Sequence, residues 1–221
     1  MFPSWEDDTS KSAIYIELRR SIIMGHRKPG ERFDVEAVAQ QYNASITPVR
    51  DALQMLSQEG LVNIKPRSGY FVARTTLKQL RDLLDMRHIL ELAAVERAAE
   101  KVTAEQIAEL RAVHGGYTGD DDASYDRYTD ENRRFHFLLA KASGNNELAQ
   151  LMGRLHDRLA PFMVMRHGGR TQVETHERII AALEAHDALA ATEALLDDIE
   201  KSHESILDKV LQKEAETWHV G

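Results

Sequence analysis

Nothing after Thr76 alternates in the manner of a strand, and that confines roughly two thirds of the chain to helices. Amphipathic stretches fall at about Leu77–Lys101, after Thr103, at Tyr125–Ala142, Glu147–Met165, Gln172–His186, and from Asp187 to about Glu214. Thr103-Ala104-Glu105-Gln106 is a capping box that opens the second, and Asp187 is placed to cap the last. Gly115–Ser124, rich in glycine and aspartate, predicts a loop. Pro161 predicts a kink near the end of the fourth helix, which His167-Gly168-Gly169 closes. Helices without intervening strands pack as a bundle.

The strand-like runs, Leu61–Ile64 and Tyr70–Ala73, lie earlier, joined by Lys65-Pro66-Arg67-Ser68-Gly69. Three short helices precede them. The first spans about Ser12–Met24, with Ile14, Leu18 and Ile22 at helical spacing. The second follows Asp34 as N-cap and ends at Asn43, a residue suited to the left-handed conformation. The third starts at Ser45, expected to cap its first amides, and buries Val49, Leu53 and Leu56. The fold class is therefore mainly α: a winged helix-turn-helix over residues 1–75, then an all-helical bundle over 76–221.

Charge divides the same way. The chain carries a net −8, yet residues 1–75 hold ten Lys and Arg against nine Asp and Glu, and the remainder 18 against 27. Only the front is suited to approach phosphates. There it would present Ser45, Thr47 and Arg50 to the major groove, with the wing tip carrying Arg67 over the backbone or minor groove. A helical bundle with a hairpin and no nucleic-acid role fits the same pattern. With no cysteine, disulfides and thiolate zinc sites are excluded and a cytoplasmic location is expected. No apolar run is long enough to cross a bilayer, and the acidic, polar start MFPSWEDDTSK does not have the form of a signal peptide.

The front resembles a known family. Tyr15-Ile16-Glu17-Leu18-Arg19, Lys28-Pro29-Gly30-Glu31-Arg32, Thr47-Pro48-Val49-Arg50-Asp51-Ala52-Leu53 and Glu59-Gly60-Leu61-Val62 resemble the GntR family of bacterial regulators. The resemblance implies that Arg50 is the DNA-contacting arginine, Thr47 the recognition-helix threonine and Gly69 the wing glycine. Glu36 and Ile46 stand where the family usually has DNA-contacting arginines, which implies weaker phosphate and guanine contacts and an altered operator.

In the bundle, Leu80, Leu83, Leu90, Ala94 and Ala98 form the buried stripe of the first helix, and Arg87 and Glu91 lie inside it. Charges there make either an internal i,i+4 ion pair or, through Arg87, a contact to a ligand carboxylate. Asn132 and His136 are one turn apart on the third helix, and His176 lies among Ile179, Ile180 and Leu183 on the fifth. Histidines projecting inward from different helices are either packed core residues or metal ligands.

Arg87-His88-Ile89-Leu90-Glu91, Phe135-His136 leading to Ala142-Ser143-Gly144-Asn145, and His176 followed by Asp187 resemble the FCD effector domain of the FadR-type branch of that family. Many such domains bind a divalent metal through an aspartate or asparagine and three histidines, with a small carboxylate completing the shell. Carried over, the ligands are Asn132, His136, His176 and, where a histidine is usual, Asp198. His203 competes for the last place, but points about 140° away from Asp198 around the same helix. Such a set suits zinc, nickel, iron or manganese.

A DNA-binding regulator is therefore expected, most simply a repressor. The resemblance implies a homodimer on a palindromic double-stranded operator, switched by a small carboxylate bridging the metal and Arg87. A direct divalent-metal sensor is the alternative. A metal-dependent enzyme would lack a separate general base and leave the front domain unexplained.

Overall fold

The computed structural model describes residues 9–116, 118–166 and 169–217. The first eight residues of the acidic start, and His167-Gly168, expected at the end of the fourth helix, lie outside them. The element order is α1 (Thr9–Ile23), α2 (Val35–Gln41), α3 (Ile46–Gln58), β1 (Val62–Lys65), β2 (Gly69–Val72), α4 (Leu77–Lys101), α5 (Ala104–Arg111), α6 (Asp122–Ala142), α7 (Asn146–Arg166), α8 (Gly169–Glu184) and α9 (Ala188–Thr217). The chain is mainly helical, with three helices and a two-stranded wing ahead of an all-helical bundle. It divides into two compact units, Met1–Leu77 and Lys78–Gly221.

In the first unit, α1 and α3 cross through Ile14, Leu18, Ile22, Val49, Leu53 and Leu56, all buried. Tyr15 donates its hydroxyl to Glu59, and the Arg19 guanidinium lies 3.7 Å from the same carboxylate, fastening α1 to the C-terminal end of α3. Asp34 caps α2 by accepting from the Ala37 amide at 3.0 Å, and Asn43 leaves α2 in the left-handed region at φ 48°. These two residues fix the turn that carries the chain into α3.

β1 pairs antiparallel with β2 from Val62↔Val72 to Lys65↔Gly69, so each strand lies a residue nearer the tip than the alternation predicts. The reason is the compact turn: Ser68 donates its amide to the Lys65 carbonyl at 3.0 Å, and Arg67 takes φ 61°. The other edge of β2 is also used. Gly30 and Phe33 donate to the Val72 and Tyr70 carbonyls, and the Val72 amide donates to Glu31, each at 2.9 Å. The segment that looks like a plain turn in the sequence therefore anchors the wing.

In the second unit α6 packs on α7, α8 on α9, and α9 also on α7. One apolar cluster gathers Val95, Phe135, Leu139, Ile179, Leu183 and Leu195; another gathers Leu80, Leu84, Met152, Leu155, Leu159 and Ile206. On α4 the buried stripe runs through Leu80, Leu83, Leu84, Arg87, Glu91, Ala94, Val95 and Ala98. Leu90 is only partly buried: Glu91 and Val95 hold the inward positions that it was expected to share.

Helix ends follow local chemistry. Thr103 and Gln106 form the reciprocal capping box, and Asp187 accepts from the Ala190 amide at 3.0 Å. Helix α6 begins at Asp122, three residues before the expected start. Asp121 accepts from the Ser124 amide at 2.8 Å, and Asp122 sits in the first turn, where a negative charge opposes the helix dipole favourably. α7 continues through Pro161. Gly169 opens α8 rather than closing the preceding helix.

Candidate functional site

The first unit presents its polar residues at the start of α3. Ser45, Thr47 and Arg50 are exposed there, while Val49 and Leu53 on the opposite side are buried. Ser45 occupies the N-cap position with extended backbone, but its hydroxyl makes no cap hydrogen bond, contrary to the sequence expectation. The rotation that would turn it onto the amides is not adopted, so the first amides of α3 are not closed by this side chain. Ile46 is 37% exposed beside them. Arg50, Arg67 and Gly69 border one cleft of about 400 Å³ between α3 and the wing, which Arg32 also enters. Gly69 takes φ 108°, a region that favours glycine, and the Arg32 side chain lies against it. The cleft also contains Asp34 and Glu36, so the cations are interleaved with acids.

The second unit buries an unusual number of polar side chains. Arg87 and Glu91 from α4, Asn132 and His136 from α6, His156 from α7, His176 from α8, and Asp198 from α9 are each no more than 2% exposed. Arg87 Nε donates to Glu91 Oε1 at 2.9 Å, and Arg87 Nη2 donates to Asp198 Oδ2 at 2.8 Å. The ion pair within α4 therefore forms, and it extends to a carboxylate on a distant helix. Burial disfavours the arginine charge, but Glu91 and Asp198 outweigh it and raise the guanidinium pKa. Burial likewise works to raise Glu91, and Arg87, His136 and His156 together hold it well below the usual carboxylate range.

That carboxylate orders two rings. His156 Nε2 lies 2.6 Å from Glu91 Oε1, and His136 Nδ1 lies 3.1 Å from Glu91 Oε2. Burial keeps His156 neutral, with its pKa pushed down to about 4 against the pull of Glu91. His136 Nδ1 faces that carboxylate without closing a hydrogen bond to it. On the other side of the ring, Nε2 lies 3.4 Å from Arg87 Nη2 and 3.7 Å from Asp198 Oδ2.

His136, His176 and Asp198 each offer a ligand atom, and these atoms all lie within 4.8 Å of one another. Asn132, one turn before His136, has a buried Oδ1 with no hydrogen-bond partner. An orphaned amide oxygen, two imidazoles and a carboxylate are a donor set that a divalent ion satisfies. The residues present therefore fit a metal. Glu91, His136 and His156 form a second such group, but there the contacts already pair each ring with the carboxylate. His203 is half-buried and belongs to neither group.

The structure thus gathers Arg87, Asn132, His136, His176 and Asp198 in the buried interior of one unit, and Ser45, Thr47, Arg50, Arg67 and Gly69 on the surface of the other. Glu91, expected only as an ion-pair partner of Arg87, also contacts two rings, and two histidines that the sequence left without a role come in: His156 joins through Glu91, and His114 Nε2 lies 2.9 Å from His176 Nδ1. The single signal for Glu91 was its place in the apolar stripe; His114, beyond the end of α5, had none.

Comparison with known proteins agrees with this division. Residues 10–72 match the bacterial regulatory proteins of the gntR family, and residues 82–201, more than half of the chain, match the FCD domain. The Nta operon transcriptional regulator of Aminobacter aminovorans is 30% identical over 186 residues, covering 83% of this chain and 88% of the relative. The HTH-type transcriptional repressor RspR of Escherichia coli is 26% identical over 211 residues, covering 93% and 91%. The solved structure of E. coli McbR/YncC superposes with a TM-score of 0.68 at 24% identity, covering 93% of this chain and 99% of that one, and so shares the fold. No described helix is long and apolar enough to cross a membrane. This chain belongs to the GntR family of DNA-binding transcription regulators, in the FadR-type branch that joins a gntR helix-turn-helix to an FCD domain, and not to a family of enzymes.

Proposed function

We propose that the chain is a cytoplasmic, homodimeric repressor of a palindromic operator, whose DNA affinity is set by a small carboxylate bound in a metal-containing FCD pocket. The observation that carries this reading is the convergence of ligand atoms of His136, His176 and Asp198 within 4.8 Å of one another; Asn132, one turn before His136, adds a buried Oδ1 with no hydrogen-bond partner. Asn132, His136, His176 and Asp198 would hold the ion, and zinc, nickel, iron or manganese suits them. When bound, such an ion offers open coordination positions to a carboxylate.

The remaining contributions come from the chain itself. Arg87 is anchored through Nε and Nη2, and its buried Nη1 has no hydrogen-bond partner. That nitrogen is the donor a ligand carboxylate would take. Arg87, Glu91 and Asp198 by themselves give the buried cluster one negative charge in excess. With a divalent ion held there, these groups would carry one positive charge, which a single ligand carboxylate would cancel. Ion and organic acid therefore favour each other's binding. On the DNA side, Ser45, Thr47 and Arg50 address the major groove, and Arg67 and Gly69 bring the wing to the backbone. A ligand alters this only through its different affinity for the two arrangements of the dimer.

The test is an operator obtained by selection from random DNA, followed by fluorescence anisotropy with zinc and a panel of small carboxylates. At least one acid should change the DNA Kd by about fivefold or more in zinc and not in chelator. An unchanged Kd across the panel would overturn the proposal.

A further inference from the structure

Metal-binding histidines act through one ring nitrogen, and the partner of the other nitrogen decides which one that is. For His136 the partner is Glu91, already in the cluster. For His176 it is a residue outside the ligand set. His114 Nε2 lies 2.9 Å from His176 Nδ1, and His114 Nδ1 lies 3.4 Å from Glu131 Oε2. Glu131 is itself fixed: it accepts the Gly115 amide at 3.1 Å and pairs with Arg127 at 3.2 Å. Glu131 is therefore an acceptor.

We infer that His114 and Glu131 are positioning residues for the metal site, setting the tautomer and ring orientation of His176. This rests on the metal reading above. The direction of the hydrogen bonds follows from Glu131. His114 gives it the Nδ1 proton and accepts through Nε2 from His176 Nδ1–H. His176 then turns its Nε2 lone pair to the ligand set shared with His136 and Asp198. The ring plane is held from the side by Phe135, stacked on His176 at 3.8 Å between centroids and 9° between planes. A buried carboxylate thus stands behind each ligand histidine, Glu91 3.1 Å from Nδ1 of His136 and Glu131, through His114, behind Nδ1 of His176. Because His114 lies in the segment joining α5 to α6, the same contact ties that connection to the ligand site.

The experiment uses the full-length protein and zinc alone. Zinc affinity is measured by competition with a chromophoric chelator for wild type, His114→Leu, His114→Gln, Glu131→Gln and His176→Ala. Imidazole nitrogen shifts by two-dimensional NMR report the His176 tautomer in the metal-free protein. Wild type should hold His176 protonated on Nδ1. His114→Leu should weaken zinc binding about 10- to 100-fold and mix the tautomers. His114→Gln, whose amide oxygen still accepts, should recover part of the loss, and Glu131→Gln should give a smaller loss with the core intact. Zinc affinity within twofold of wild type in His114→Leu, while His176→Ala abolishes binding, would overturn the inference and leave the metal site standing. So would a wild-type His176 protonated on Nε2. Failure of wild type to bind zinc would overturn the metal reading and the inference with it.

Discussion

Arg87→Met in metal-free protein is the sharpest perturbation of the buried cluster. Methionine keeps most of the stem's packing and removes the charge that serves both Glu91 and Asp198, which are 1% and 0% exposed. Breaking a buried pair by removing one partner costs about 3–5 kcal/mol. An independent route gives the same scale. A stranded carboxylate escapes by taking up a proton, and raising its pKa from about 4 to above 7 costs roughly 4 kcal/mol. Glu91 keeps His136 and His156 beside it, and Asp198 keeps His136 at 3.7 Å. At about 2–4 °C per kcal/mol for a chain of this size, the melting temperature in chelator should fall by roughly 6–20 °C. Adding Asp198→Asn to Arg87→Met should return about 1–3 kcal/mol, because it removes the charge left behind. Urea unfolding and calorimetry read both. A loss below about 1 kcal/mol for Arg87→Met, or no recovery in the double variant, would refute the view that Arg87 neutralises two ionised buried carboxylates.

Arg50→Ala should weaken operator binding by about 1–3 kcal/mol in anisotropy titrations, while a variant at exposed Gln58 serves as a surface control. Ile46→Arg restores a cation beside α3's first turn and should steepen the dependence of log K on log salt by about 0.9; an unchanged slope would place residue 46 away from phosphate. Phe135→Ala should cost about 3–5 kcal/mol in urea unfolding and also weaken zinc binding, since the ring that fixes His176 is lost. Thr103→Ala removes half of a capping box and should cost about 0.5–2 kcal/mol without altering zinc affinity.

What was legible in the sequence had a local signature. The helix-turn-helix followed from Asp34, Asn43 and the apolar spacing of α3. Arg87 and Glu91 stood out because charge interrupted an apolar stripe, and Asn132 and His136 because they share a face one turn apart. The Asp198–Arg87 bond joins residues 111 apart, and no periodicity in either helix announces it. His114 and Glu131 were silent for a related reason: one lies past a helix end, and the other looks like a surface acid on the amphipathic α6. Ser45 shows the opposite error, since its position at the cap was legible while the direction of its hydroxyl was not. The early start of α6 followed the same logic, with Asp121 and Asp122 counted as loop acids when they are the cap and first turn.

The most direct test of the central claim is the metal content of purified wild type by mass spectrometry, beside His176→Ala prepared identically. Wild type should hold close to one divalent ion per chain and the variant little, with both proteins folded by circular dichroism. Wild type that remains metal-free after equilibration with zinc, nickel, iron and manganese would contradict it, and the buried cluster would then be an ion-pair network centred on Arg87.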